Sequence, residues 1–223
     1  MVPPRSHKIT MKGRSVNRIL SSAVKVAGSL GLVGGALAFA AAPAGAAPTP
    51  PTPIYAYGLS AFGVIHIAPV AHVNVGSTPQ VAAAFVYPGF VTTGGILDRA
   101  KRFQAYSQVG AVKVYGLSQV EQLNASMVSS TCRLSLFGGP AFGGATIQAG
   151  SIIAPDVPFF PPIPLIRNPA PNTVINLGSL QITLNKQTVS GGVLTVTGIY
   201  ISIPGQNLSI AVSRCGVPTP PPT

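Results

Sequence analysis

Tryptophan is absent from these 223 residues, and acids nearly so: Asp98, Glu121 and Asp156 are the only three. A glycosidase needs two carboxylates set roughly 5–10 Å apart. Each of these three sits in a different loop-like context and reads as a solvated surface charge, so no catalytic pair is expected. Histidine is almost as scarce, and beyond the N-terminal region only His66 and His72 remain, on either side of Pro69. Two imidazoles without a carboxylate partner make a weak metal site, so no bound metal is expected. No phosphate-cradling loop occurs, because GGPAFGG (138–144) has no following Lys-Ser/Thr. Gly58-Leu59-Ser60-Ala61-Phe62 lacks the second glycine of a nucleophile elbow. The sequence thus offers no catalytic residues and no cofactor site. Charged residues make up only 8% of the chain, which leaves few solvated helix faces and favours an all-β class.

The net charge of +11 divides unevenly. Arg5, Lys8, Lys12, Arg14, Arg18 and Lys25 precede the first apolar run; after it, eight basic residues against three acids leave +5. The only cluster is DRAKR (98–102), which reads as a short solvated loop rather than a nucleic-acid patch. The basic stretch to Lys25, the apolar run Val26–Ala42 and Ala44-Gly45-Ala46 form a signal peptide over 1–46, with a cut before Ala47. The alternative is an uncleaved anchor, since the 17-residue run sits at the bottom of the spanning range of about 17–25. Arg14-Ser15 is not a twin-arginine pair, which favours the general secretory route. Export is therefore expected, to the outside or the envelope, with no stable membrane span after cleavage.

Residues 47–53 (APTPPTP) form an extended proline-rich spacer, 54–217 a β domain and 218–223 a proline-rich tail. In YAYGLSAFGVIHI, Tyr55, Tyr57, Leu59, Ile65 and Ile67 share one parity and are assigned to the core face. Pro69 breaks the strand, and VAHVNV (70–75) continues. VAAAFVY (81–87) reads as a core strand. In FQAYSQVGAVKVYGL, Val112 and Val114 face inward. SQVEQLNAS fits a loop, a bulged strand or a short helix. Val128, Cys132, Leu134 and Leu136 share an inner face, and ATIQAGSIIAP is one further strand. Residues 155–171 hold seven prolines and should be an excursion that lays Phe159, Phe160, Ile163 and Leu165 over a sheet or its edge. Leu180, Ile182 and Leu184 alternate with polar residues, Gly191-Gly192 makes a primed two-residue turn, and Leu208, Ile210 and Val212 face in. The whole reads as an antiparallel β-sandwich of roughly ten to twelve short strands, with a closed β-barrel as alternative.

The two cysteines, Cys132 and Cys215, lie downstream of the signal, in a compartment that permits a disulfide. Bridging them would be worth about 4–5 kcal/mol in the chain-entropy model. The rivals are two free buried thiols, or a reactive thiol with His66 or His72. Cys215 is out of phase with Leu208, Ile210 and Val212, so a bulge or the strand's end must bring it round. Asn124-Ala125-Ser126 and Asn207-Leu208-Ser209 match glycosylation sequons.

The opening YAYGLSAFGVIHI, the Thr131-Cys132 pair, the run PNTVINLGSLQITLNKQTVSGGVLTVTGIYISI and the closing SRCGV resemble the choice-of-anchor P family, secreted or surface proteins of actinobacteria. The resemblance implies location and architecture rather than an activity. The chain ends CGVPTPPPT, without a sortase-type motif, an apolar helix or a basic tail, so release or non-covalent retention is expected. The function expected is that of a secreted or envelope-associated non-catalytic module, structural or binding, whose partner is cell-wall glycan or another surface protein. The alternative is a hydrolase of cell-wall polymer or lipid with a site the sequence hides. A third reading, a pore, needs alternating strands of about 9–11 residues, and most strands read as shorter.

Overall fold

The structure, a computed structural model, describes residues 53–117, 120–153 and 161–217. The stretches read as signal peptide (1–46) and proline-rich tail (218–223), nearly all of that read as spacer (47–53), and Asp156, Phe159 and Phe160 lie outside the described residues. Sixteen strands run through the rest: β1 (Tyr55–Gly63), β2 (Ile67–Val70), β3 (Val73–Asn74), β4 (Gln80–Ala82), β5 (Phe85–Tyr87), β6 (Val91–Thr93), β7 (Ile96–Lys101), β8 (Gln104–Leu117), β9 (Val120–Arg133), β10 (Phe142–Gln148), β11 (Ser151–Ile153), β12 (Ile163–Pro164), β13 (Thr173–Leu177), β14 (Leu180–Ser190), β15 (Val193–Ile203) and β16 (Gln206–Gly216).

They form two antiparallel sheets. The first runs β13-β14-β15-β16-β1-β2, with β3 also on β1; the second runs β12-β11-β9-β8-β6-β5, with β10 on β9, β7 on β8 and β4 on β7. No pairing joins the sheets among the described residues, so the arrangement is a sandwich and not a closed barrel. Many of the shortest strands are halves of one ribbon. β2 and β3 share β1, β6 and β7 share β8, β10 and β11 share β9, and β4 and β5 lie along β7 and β6. Counted as ribbons, each sheet has six. Contrary to the short strands expected from the sequence, β8 and β9 have 14 residues each, and β14, β15 and β16 have 11.

What divides the ribbons is a transverse line of small residues in each sheet. In the first sheet the ladder skips one step between Leu184↔Ile199 and Lys186↔Thr197, between Thr197↔Val212 and Ile199↔Ile210, and between Tyr57↔Val212 and Leu59↔Ile210. The skipped residues are Asn185, Gly198, Ala211 and Gly58, and Ala71 continues the line between β2 and β3. Asn185, Ala211 and Ala71, in alternate ribbons, have left-handed φ of 49°, 55° and 56°. In the second sheet Ala111 (φ 45°) and Ala149 (φ 44°) alternate in the same way with Ser126 and Gly94. A left-handed residue in an extended strand turns the next peptide over. The inward side then passes from one parity to the other, at a cost of roughly 1–2 kcal/mol per alanine. Because neighbouring ribbons invert at the same step, hydrogen-bond register is kept. In β16 the inward residues change from Leu208 and Ile210 to Ser213 and Cys215; in β1 they change from Ala56 to Leu59 and Ala61.

This inversion brings Cys215 round to Cys132 without an extra residue. The disulfide Cys132–Cys215 joins β9 of one sheet to β16 of the other, with Cα atoms 5.7 Å apart. It lies in a small apolar cluster with Ile54, Ala56, Val73, Ala100, Ala105, Leu194 and Val196. The larger cluster, including Leu59, Ile96, Leu123, Ile147, Leu184, Ile199 and Ile210, spans the line and the half beyond it. Burial of each such Leu or Ile is worth about 1.5–3 kcal/mol.

The inversion also corrects several sequence assignments. Tyr55 and Tyr57 lie on the outer side of the line's near half, not in the core with Leu59. VAAAFVY is not a core strand but the interrupted edge ribbon β4/β5, with Val81 72% exposed. ATIQAGSIIAP divides at Ala149. Within SQVEQLNAS, the residues from Val120 on are no helix but the start of β9, with Leu123 buried. The inner face of β9 ends at Arg133, so Leu134 is only half-buried and Leu136 is exposed. Pro69 lies inside β2, on the sheet's edge, where a missing amide donor is tolerated. Leu165 packs on the core, whereas Ile163 is exposed on the edge strand β12.

The two sheets come closest where the line has glycine: a Cβ on Gly198 would stand 2.5 Å from Val128 Cγ1, whereas one on Gly144 would meet nothing within 4 Å. Gly198→Ala should therefore destabilise the fold by about 1–3 kcal/mol, and Gly144→Ala should stay within about 1 kcal/mol, by urea denaturation. Removing the bridge with Cys132→Ser and Cys215→Ser together should lower stability by about 2–5 kcal/mol in the same assay.

Candidate binding face

Inward placement of Ile96, Asp98 and Ala100 sends Leu97, Arg99 and Lys101 outward from β7. Across the ladder they face Gln108, Tyr106 and Gln104 of β8, which in turn face Ser129, Thr131 and Arg133 of β9. Leu97, Arg99, Lys101, Gln104, Tyr106 and Gln108 line an open hollow of ≈ 430 Å³ on this outer face. The Tyr106 hydroxyl donates to Gln108 Oε1 at 2.6 Å and so fixes the ring and the amide together. Burial pushes the Tyr106 phenol above its ordinary value, and Arg99 pulls it part of the way back. Among the described side chains the only acid is Asp98, which lies on the other side of the sheet. Glu121 stands in β9 twelve residues before Arg133, on the order of 40 Å along the strand, and its side chain lies outside the described residues.

DRAKR is thus not a solvated loop. Asp98 is 0% exposed, Ala100 is buried, and Arg99 and Lys101 belong to a sheet face. Asp98 sits in one register row with Ser107 and Ser130, and these with Ser213 of the opposite sheet are all buried. On each strand the next inward residue toward the line is apolar (Ile96, Val109, Val128, Ala211), as is the one away from it (Ala100, Ala105, Cys132, Cys215). The four polar residues therefore make a layer between the two apolar clusters. Ser107 donates to the Tyr57 carbonyl at 3.0 Å, beside the interruption in β1. Burial raises the Asp98 pKa to about 7, with Ser107 and the Gly58 amide pulling it back. Neither group reaches hydrogen-bond geometry, and both carboxylate oxygens are left without a partner. The Ser107 proton is committed to Tyr57, so burial governs Asp98.

The outer face of the other sheet uses its cations internally. Arg214 Nη1 donates to the Tyr55 hydroxyl at 2.9 Å and covers the ring at 5.4 Å. Tyr55 and Tyr57 stack at 6.2 Å, and His72 packs on both. Lys186 Nζ lies 3.2 Å from the Tyr200 ring centroid. His66 packs instead on Phe62. The two histidines thus serve separate aromatic contacts, and among the described residues no three His, Cys, Asp or Glu side chains gather to hold a metal. Both cysteines are in the bridge, which removes the thiol–histidine alternative. Ser60 lies within β1 rather than on an elbow. Asn207 accepts a hydrogen bond from the Tyr200 hydroxyl at 2.9 Å, and Asn124 lies in the β8–β9 ladder opposite Lys113. The face was not readable from parity: Gln104, Tyr106 and Gln108 share parity with the inward Val112 and Val114, and the inversion at Ala111 turns them outward, while register decides the partners Arg99, Lys101 and Arg133.

Scans against protein-family models, curated proteins and solved structures found no match to this chain.

Protonated Asp98 is favoured more in the folded chain than in the unfolded one. Stability should therefore be greatest below about pH 4, fall by about 1.4 kcal/mol per pH unit at most as pH rises toward 7, and level off above. Asp98→Asn, neutral and of the same shape, should flatten this slope and be more stable than the parent at pH 8. Urea denaturation at pH 5 and pH 8 reads both effects.

Proposed function

We propose that this chain is an exported, envelope-associated, non-catalytic β module of the choice-of-anchor P type, and that it holds an acidic cell-wall glycan on the outer face of β7, β8 and β9. The observation that carries this is the hollow over Leu97, Arg99, Lys101, Gln104, Tyr106 and Gln108. A tyrosine face accepts the apolar side of a sugar ring. Side-chain amides serve neighbouring hydroxyls, and a guanidinium holds a carboxylate or phosphate in a two-pronged bond. Three cations in two adjoining rows, Arg99, Lys101 and Arg133, select for negative charge. Two features support the rest of the reading. A disulfide between the sheets suits an oxidising compartment. Asp98 is sealed inside, away from any polymer the surface would meet.

Full chain should be retained on immobilised acidic cell-wall polysaccharide and not on a neutral one. Tyr106→Ala and Arg99→Gln should each weaken retention about tenfold, equivalent to about 1.4 kcal/mol, with unchanged melting temperature. Equal retention of both variants and parent, or retention only by a protein component of the envelope, would sink the glycan reading.

A further inference from the structure

An adjoining part of the surface, which shares Lys101 and Arg133 with the face above, points to a second partner. The β7–β8 turn and the 134–141 loop meet at the disulfide end of the sandwich, where the Leu134 amide donates to the Phe103 carbonyl at 2.9 Å. Phe103, Leu134, Leu136, Phe137 and Phe142 line one hollow there, together with Arg133. Phe137 is 98% exposed, Leu136 70% and Phe142 56%, and Phe103 is exposed beside them. Lone apolar residues on a surface are ordinary, but a cluster of three phenylalanines and a leucine at adjoining loop tips marks an interaction site. Beside it stand Lys101, Arg102 and Arg133, all exposed, with the Arg102 guanidinium 5.2 Å from the Phe103 ring and Arg133 opposite Phe142. The only acid among the described side chains, Asp98, is buried in the layer beneath.

We propose that this loop tip docks on an anionic lipid surface, with Leu136 and Phe137 entering the interface and Lys101, Arg102 and Arg133 at the level of the phosphates. The make-up of the tip argues for lipid. Exposed Phe103, Leu136, Phe137 and Phe142 stand beside exposed Lys101, Arg102 and Arg133, with no acid exposed among the described side chains. That is the profile of interfacial docking, in which apolar burial and attraction to anionic headgroups add. The opposite end supplies a contrast within the same molecule. Phe62 and Val64 are also exposed there, but Phe62 packs on His66 and no described Lys or Arg stands beside them.

The lack of tryptophan makes a local test possible. In the full chain, Phe137→Trp places the sole indole at the tip, and Phe62→Trp places it at the far end. With phosphatidylcholine vesicles containing phosphatidylglycerol, the tip indole should shift to shorter wavelength and be quenched by brominated acyl chains. The far indole should do neither, so the N-terminal apolar segment cannot produce the signal. Adding Lys101→Gln, Arg102→Gln and Arg133→Gln to the tip reporter should weaken vesicle binding by at least about tenfold, because each cation near an anionic surface adds to the attraction. An unshifted tip indole, an equal shift on phosphatidylcholine alone, or a shift that appears without vesicles as protein concentration rises would overturn the inference. None of these outcomes depends on saccharide retention, which Tyr106 reports separately.

Discussion

The constraint on which the rest depends is that the ribbons crossing the middle of each sheet exchange inside for outside at one step. A single strand that did so alone would slip its register and expose its core residues. Here Asn185, Gly198, Ala211, Gly58 and Ala71 invert together, and so do Gly94, Ala111, Ser126 and Ala149 in the facing sheet. At Gly58 and Gly198 side chains of the other sheet, Ile96 and Val128, leave no room for a Cβ, whereas Ala111, Ser126 and Ala149 are exposed. Left-handed alanines are uncommon; they persist because the neighbouring ribbons over-determine them. Two compartments of core result, with the Asp98, Ser107, Ser130 and Ser213 layer between them.

This geometry also sets what the sequence reveals. Within each half, alternation is a sound guide: Leu180, Ile182 and Leu184, or Val112 and Val114, face where a period of two puts them. Carried across the line, the same rule fails. It places Tyr55 and Tyr57 with Leu59, and it leaves Cys215 apparently facing outward. The mismatch at Cys215 was the one legible sign that an inversion must occur. The glycine hairpin at Gly191-Gly192, with φ of 54° and 76°, was legible because primed turns demand positive φ. The acid in DRAKR was not, since an isolated Asp near Arg and Lys looks solvated until register shows it alternating inward with Ile96 and Ala100. The binding face was hidden for the same reason: Gln104, Tyr106 and Gln108 share parity with the inward Val112 and Val114 across Ala111, and the cations they meet come from β7 and β9.

The exterior is as divided as the interior. On the sheet containing β16 and β1, Arg214 and Lys186 are drawn onto tyrosine rings and partly neutralised as partners for anything else. On the sheet containing β7, β8 and β9, the cations line open hollows instead. A chain with so few acids has little means of screening these charges within itself. Its basic face and its apolar tip therefore remain available together, at the end of the molecule that the sulfur bridge makes hardest to deform.

The position of β16 has a temporal consequence. It lies in the middle of its sheet, between β15 and β1, so the first strand of the domain waits for the last. A polypeptide that emerges N-terminus first holds β1 without its neighbour until about 150 residues later, and Cys132 meanwhile has no thiol with which to react. Assembly is then deferred to a single late event that seats the closing ribbon and enables oxidation at once. Pairings so distant in sequence also make that event slow relative to locally built folds.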